Sequence, residues 1–215
     1  MKQNLIIVTL FISIRLNGQG SPFMGSELGV LEVKIETYKE NIVILNKDGS
    51  TWTKFDFDFE NKLDNKDSYT FDDIKRLYNW NDDFKPYAFH IDNSLLMFIC
   101  TGVNDDKYKV VVNKETGLEK YIKKENFWIL RNWQEHIIHS VVSIDFEIKS
   151  NPIRSNPNDE ATIIKVSANI DPVIEPIEIN GDWLKIRYWQ NEREMIGWIK
   201  WKICNQIILK LFYLI

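Results

Sequence analysis

Apolar and polar positions alternate most regularly in the last quarter of the chain. Residues 183–188 (WLKIRY) and 197–201 (GWIKW) follow a two-residue period, which places successive side chains on opposite faces of a half-buried strand. Asn180-Gly181 supplies the positive φ of a tight hairpin turn, and Gly197 in mid-strand suggests a bulge or a sharp bend. The pattern predicts a small, strongly bent antiparallel β structure.

The middle of the chain carries similar short alternating runs bounded by turn-forming residues. Such runs are typical of β-strands and hairpins, and the few helical patterns are brief. The predicted strands lie at 41–45, 50–59, 95–101, 108–117 and 120–124, short helices at 72–78 and 133–138, and a polar loop at 190–194.

The middle and the end of the chain can be aligned with each other. Residues 108–124 match 184–201 when one single-residue gap is placed in the loop. Each copy is followed by an apolar run, at 141–146 and at 207–213, which we expect to close its own sheet. This internal similarity predicts two related β units in tandem, the first more divergent.

Three short elements follow one another in the last quarter: PIRSNPN at 152–158, GDWLKI at 181–186 and GWI at 197–199. In this order and at these distances they resemble the bacterial SH3-like domain. That family typically carries an Arg-Ser-x-Pro opening, a Gly-x-Trp-x-x-Val strand and a Gly-Trp-Val/Ile strand. The resemblance covers residues 151–215.

The chain departs from the family pattern at two places. The usual glycine after the first strand is missing, since residues 168–171 read ANID. Pro172 and Pro176 interrupt the next strand, and proline cannot donate a ladder hydrogen bond. We therefore expect that strand to be broken or to lie at a sheet edge.

The resemblance implies a mostly β protein built of tandem small SH3-like β-barrels, with a short helical element and a β-hairpin N-terminal region. The expected organisation is a signal peptide over 1–20, a β-rich region over 21–149 that ends in a divergent SH3-like unit, and an SH3-like barrel over 150–215. A signal peptide fits because Lys2 precedes an apolar run at 5–14 that is too short to span a membrane. A buried N-terminal strand is the alternative.

Composition and charge restrict the classes of partner. The chain has 215 residues, of which 44% are hydrophobic, enough to bury a core. Its net charge of −4 argues against a nucleic-acid partner, because phosphate binding requires a basic surface. Cys100 and Cys204 each lie in an apolar run and are predicted to be small core residues, although export would also permit a disulfide between them.

No combination of residues predicts a catalytic, metal or cofactor site. His136 and His139 would share a helix face but lack a third ligand. The alternating acids at 56, 58 and 60 are interpreted as a solvated strand face. Cys100 could pair with a histidine, but no third residue is marked out to orient such a base.

The aromatic residues of the last quarter are the candidates for ligand binding. In an SH3-like barrel, aromatic rings near the loop rims can line a groove for extended peptides or stack on sugar rings. Trp183 and Trp198 are predicted to be core residues that seal the barrel. The predicted ligand-binding residues are Arg154, Tyr188, Trp189 and Trp201.

The resemblance implies an exported, non-catalytic binding or adaptor protein, periplasmic or extracellular. Its expected partner is a cell-wall peptide or glycan, or an envelope protein, with no nucleic acid, no cofactor and no transmembrane span. One alternative is a cell-wall hydrolase with its catalytic site at 30–102. The other is a structural module that contacts only another protein.

Overall fold

The computed structural model describes residues 27–33, 41–56, 80–90, 95–166 and 173–213. Several predictions lie outside these residues: the signal peptide at 1–20, the helix at 72–78, residues 57–59 of the second predicted strand, and the ANID loop at 168–171. Within the described part the protein is mostly β, as predicted, and it contains one α-helix. No helix in this part is long and apolar enough to cross a membrane.

The first half forms an antiparallel eight-stranded sheet. Its strands are β1 Gly29–Val33, β2 Asn41–Leu45, β3 Thr51–Asp56, β4 Ala88–His90, β5 Leu95–Val103, β6 Lys107–Asn113, β7 Leu118–Lys123 and β8 Trp128–Arg131. They lie in the order β3-β2-β7-β6-β5-β1-β8, and β4 pairs with β5. The predicted strands of the middle region are therefore confirmed where they are described, although 108–117 divides into β6 and a turn.

One face of this sheet carries the main apolar core. Phe55, Trp80 and Phe84 pack against one another, with the Phe55 and Trp80 ring centroids 4.7 Å apart. Cys100 is fully buried in the same core, as predicted. Cys204 is instead exposed, and both cysteines are free, so the predicted core position of Cys204 is wrong.

The described residues from 133 onward are called the C-terminal unit. They comprise α1 Trp133–Ser140, β9 Ser143–Asp145, β10 Glu175–Asn180, β11 Trp183–Gln190, β12 Arg193–Lys200, β13 Lys202–Ile203, β14 Gln206–Ile207 and β15 Lys210–Phe212. Strands β10, β11 and β12 form an antiparallel sheet, while β13 pairs with β14 and β15 pairs with β9. A second core lies within this unit.

Helix α1 confirms the helical element predicted at 133–138 and is two residues longer. Asn132 caps its first turn: the Asn132 side chain accepts from the Glu135 backbone N–H, and the Glu135 carboxylate accepts from the Asn132 N–H. This reciprocal capping box satisfies two amide groups that an uncapped helix would leave unpaired. The helix therefore has a well-defined start at the end of β8.

Both hairpins of the C-terminal sheet have two-residue loops, and the second is shorter than the predicted loop at 190–194. Gly181 and Asp182 form the first loop, one residue later than the predicted Asn-Gly turn, and Gly181 has the positive φ of 59°. Asn191 and Glu192 form the second loop, with φ values of 51° and 63°. Positive φ at both central residues matches the twist of adjacent strands, so the strands extend into the predicted polar loop.

Strand β10 lies at the edge of its sheet, as the prolines predicted. Its pairing with β11 shifts register between Pro176 and Glu178, because Pro176 has no N–H to donate. An edge strand tolerates such an interruption since its outer side carries no ladder.

The two predicted closing runs pair with each other. Leu211 of β15 lies opposite Ile144 of β9, and Ile144 is buried in the same core as Leu184 and Ile186. Residues 141–146 therefore contribute to the C-terminal core and do not close the first sheet, contrary to the expectation from the repeat. The internal repeat was aligned on the alternation of apolar and polar residues. Which strand each run pairs with depends instead on where its apolar face can be buried.

Candidate binding face

One face of the C-terminal sheet carries three tryptophans alternating with basic residues. In the β11–β12 register, four directly opposed pairs share this face, and they are Trp183 with Lys200, Lys185 with Trp198, Arg187 with Ile196, and Trp189 with Glu194. We call these eight residues the tryptophan face. Trp189 lies six positions after Trp183, so the face is about 20 Å long at 3.4 Å per residue.

The opposite face of the same strands determines this orientation. Leu184, Ile186 and Tyr188 are fully buried, as is Ile199 on β12. Successive side chains of a strand point to opposite faces, so the odd-numbered residues of β11 must point away from the core. Trp183, one of these odd-numbered residues, is half-buried.

Basic side chains lie over two of the tryptophan rings. The Lys200 Nζ is 5.3 Å from the Trp183 ring centroid, and the Lys185 Nζ is 5.6 Å from that of Trp198. Cation–π contacts of this kind contribute about 0.5–1 kcal/mol at exposed sites. The two ammonium groups therefore lie over the rings, and both lysine side chains stay partly exposed.

Carboxylates pair with these cations from the edges of the face. Lys185 Nζ lies 3.2 Å from Glu178, and Lys200 Nζ lies 2.8 Å from Asp159. Both pairs are partly exposed, and such surface pairs contribute about 0–1 kcal/mol because water screens them. A carboxylate of a ligand could therefore replace either acid at small cost.

Glycine at position 197 brings the opening segment of the C-terminal unit against β12. A Cβ on Gly197 would lie 2.2 Å from Ile153 Cγ2, and the register of β11 and β12 is continuous through this residue. The predicted bulge is therefore wrong, because the glycine serves close approach. Arg154 and Trp198 then exchange two backbone hydrogen bonds of 2.8 Å, which places Arg154 beside the tryptophan face.

The structure separates the four predicted ligand-binding residues. Trp189 lies on the tryptophan face, and Arg154 borders it, although its guanidinium donates to the Ala161 carbonyl at 2.9 Å. Tyr188 is 0% exposed and Trp201 is 4% exposed, so neither ring is accessible to a ligand. Trp201 also donates from Nε1 to the Gly181 carbonyl at 2.9 Å.

The sequence pattern did not predict that Trp183 and Trp198 lie on the tryptophan face. Both were predicted to be core residues, but both are half-buried and lie under lysines. The alternation along β11 could have shown this. Leu184 and Ile186 lie on the more apolar face of the strand, while Trp183 shares the other face with Lys185. The expectation that these two rings seal a small barrel is therefore wrong for this sheet.

The histidines weighed as metal ligands do not face one another. His136 is 0% exposed, with its ring nitrogens against Glu32 and Tyr213, whereas His139 is exposed. The described part of the chain contains no group of three side chains placed to hold a metal ion. Burial also raises the pKa of the Cys100 thiol, which disfavours its thiolate.

A separate cavity of about 280 Å³ lies among β2, β7 and β8. Leu45, Ile122, Phe127 and Trp128 form its apolar floor. Its volume is at the lower limit for small-molecule sites, which are typically about 300–1,000 Å³. The tryptophan face, with its paired aromatic and charged groups, is the more specific candidate.

Comparisons of the chain with protein-family models, with curated proteins and with solved structures found no match.

Proposed function

We propose that this chain is an exported, non-catalytic binding protein whose C-terminal unit is an SH3-like barrel that binds the peptide or glycan of a cell wall. The tryptophan face is the binding surface in this proposal. The predicted groove residues Tyr188 and Trp201 are replaced by Trp183 and Trp198, and Trp189 is retained.

The observation that supports this role most directly is the alternation of Trp and Lys on one solvent-facing side of β11 and β12. Tryptophan rings offer flat apolar surfaces for sugar rings, and peptide groups also pack on them. Lys185 and Lys200 lie beside the rings and could pair with carboxylates of a wall peptide. The length of about 20 Å matches an extended peptide of about six residues.

The backbone pairing of Arg154 with Trp198 supports the SH3-like assignment of this unit. It joins the opening segment to the Gly-Trp-Ile strand, which are two of the three elements that carry the resemblance. In this proposal α1 and β9 are additions to the barrel, because their side chains contribute to its core.

Retention on purified peptidoglycan tests the proposal. We expect the full chain to sediment with the polymer, and Trp189→Ala and Trp198→Ala each to reduce retention at least fivefold. Trp52→Ala is the matched control: Trp52 is also half-buried and lies 5.3 Å below a lysine, but on the eight-stranded sheet. Equal retention of all three variants would contradict binding through the tryptophan face.

The same preparation distinguishes the two alternatives. Clearing of a peptidoglycan suspension by the protein would overturn the non-catalytic role and favour a hydrolase. Failure to sediment with peptidoglycan, together with retention of one envelope protein that Trp198→Ala no longer binds, would favour a protein-interaction module.

A further inference from the structure

Helix α1 connects the eight-stranded sheet with the C-terminal sheet. It contacts β1 and β8 on one side and β10 on the other. Leu31 and Val33 of β1 face the main core, so Glu32 between them points from the opposite side of the strand toward α1. Among the described residues Glu32 is the one buried carboxylate.

Three side chains donate hydrogen bonds to the Glu32 carboxylate. His136 Nδ1 lies 2.5 Å from Oε1, and Ser140 Oγ lies 2.8 Å from both oxygens. Arg131 Nε on β8 lies 3.3 Å from Oε2. A buried carboxylate needs such partners because an unpaired charge in the interior is strongly unfavourable. Glu32 therefore joins β1, β8 and α1 through one group.

The network continues from His136 to the end of the described chain. His136 Nε2 lies 3.0 Å from the Tyr213 hydroxyl, which lies 2.9 Å from the Tyr87 hydroxyl. A carboxylate can only accept, so His136 Nδ1 carries the proton that it shares with Glu32. The imidazole thus links the sheet to the residue that follows β15. We call Glu32, Arg131, His136, Ser140, Tyr213 and Tyr87 the buried network.

The connectivity of carboxylate, imidazole and hydroxyl resembles that of a catalytic triad, but its setting is different. His136 is fully buried. Burial raises the pKa of the Tyr213 phenol well above its ordinary value of 10.0, so that hydroxyl stays protonated at neutral pH. A phenol that stays protonated beside a fully buried imidazole is unsuited to attack a substrate, and we interpret the network as a conformational device.

The apolar part of this contact is small. Its cluster has five buried members, all on the eight-stranded sheet, and from the C-terminal unit the partly buried Trp133 and Tyr213 pack against it. The main core has fifteen buried residues and the C-terminal core has twelve. Because hydrophobic stabilisation scales with buried apolar area, this cluster holds the two parts together less strongly than either core holds itself. The buried network therefore has a large influence on the contact.

We propose that the buried network is a proton-sensitive latch that fixes the C-terminal unit on the eight-stranded sheet while Glu32 is ionised. Protonation of Glu32 releases α1 and β15 from the sheet and lets both open locally, while the strands of the two cores stay folded. The latch thereby controls whether the tryptophan face is held in one orientation relative to the sheet.

The direction of the pH effect follows from the groups that face Glu32. Burial alone would raise the Glu32 pKa, but the hydrogen bond and charge of His136, with Ser140 and Arg131, lower the pKa below its ordinary value of 4.5. A lowered carboxylate pKa stabilises the folded state above the unfolded pKa, and this stability is lost as pH falls through the folded value. The latch therefore opens below pH 4.5.

Among the described residues, the other groups that face this site are Arg131, His136, Tyr87 and Tyr213. Arg131 on β8 donates to Glu32 Oε2. Tyr87, before β4, and Tyr213, after β15, both have raised pKa values because they are buried, so both are neutral there. His136, on α1, contacts Glu32 Oε1 through Nδ1.

Hydrogen–deuterium exchange of the full-length chain with Glu32→Gln tests the latch. In this variant the amide group that replaces Glu32 Oε2 is a donor, and Arg131, which contacts that oxygen in the wild type, can only donate. At pH 7 we expect exchange to rise at least tenfold in α1 and β15 and to stay unchanged in β5, β6, β11 and β12. Wild-type exchange, corrected for intrinsic rates, should approach the variant's pattern below pH 4.5. Glu178→Gln, which removes an exposed carboxylate paired with Lys185, should behave as wild type.

Wild-type exchange in α1 for Glu32→Gln, or an equal rise in all measured strands, would overturn the proposal. If Glu32→Gln does not fold, Tyr213→Phe decides the question, because it keeps the ring and removes only the hydroxyl next to His136. We expect a several-fold rise confined to α1 and β15. Unchanged exchange there would show that the network does not hold the contact.

Discussion

Gly197 of β12 and Ile153 of the opening segment are in direct contact. A Cβ at position 197 would lie 2.2 Å from Ile153 Cγ2 and 3.3 Å from the Arg154 carbonyl oxygen. Ile153 is fully buried, and its β-branched side chain has little rotamer freedom. The missing side chain therefore allows the opening segment to pair with β12 and to border the tryptophan face.

Gly197→Ala is expected to destabilise the protein by about 1–3 kcal/mol, because an added methyl overpacks a closed site. Chemical denaturation measures this change. Gly102→Ala is the control: its added Cβ would meet nothing closer than Lys109 Cβ at 3.4 Å, an ordinary contact. Equal stability of the two variants would contradict the close approach at Gly197.

Trp201→Ala is expected to lower the free energy of unfolding by about 3–5 kcal/mol, since it removes a buried ring from the C-terminal core. It also removes the hydrogen bond to the Gly181 carbonyl. Trp189→Ala, on the half-buried outer face, is expected to cost about 1 kcal/mol or less. Thermal or urea unfolding compares the two, and the opposite order would place Trp189 in the core.

Ile144→Ala tests whether residues before 150 belong to the C-terminal core. Ile144 is 1% exposed and packs with residues of β11 and β12, so we expect a loss of about 2–5 kcal/mol. Hydrogen exchange should rise in β11 and β12 more than in β5 and β6. Ile196→Ala, at an exposed position on the tryptophan face, should change stability by less than about 1 kcal/mol. An effect of Ile144→Ala confined to the eight-stranded sheet would contradict the shared core.

Alkaline pH is expected to lower the free energy of unfolding, because it ionises the phenols of Tyr87 and Tyr213. Burial raises the pKa values of Tyr87 and Tyr213 above 10.0. A raised phenol pKa contributes stability that is fully present below the unfolded pKa of about 10 and lost as pH rises through the folded pKa. Urea midpoints at pH 8 and pH 11 measure the loss, which Tyr213→Phe should reduce. An equal loss in that variant would show that other groups dominate.

Local rules of sequence determined much of the β structure. The alternation at 183–188 and 197–201 specified two paired strands, Pro176 placed β10 at an edge, and Asn132 began the helix. These features depend on contacts between residues close in the chain, where backbone geometry and hydrogen bonding leave few alternatives.

Which strands pair with each other, and which face of each strand is buried, could be read only from the tertiary structure. The run at 141–146 pairs with β15 and joins the C-terminal core, which the repeat did not indicate. Glu32 and His136, 104 residues apart, meet only because β1 and α1 pack together. In the same way, Trp183 and Trp198 lie outside while Tyr188 lies inside, because Leu184 and Ile186 fill the core from one side of β11. Sequence alone specifies the period of a strand, whereas the surrounding core decides which of its two faces is buried.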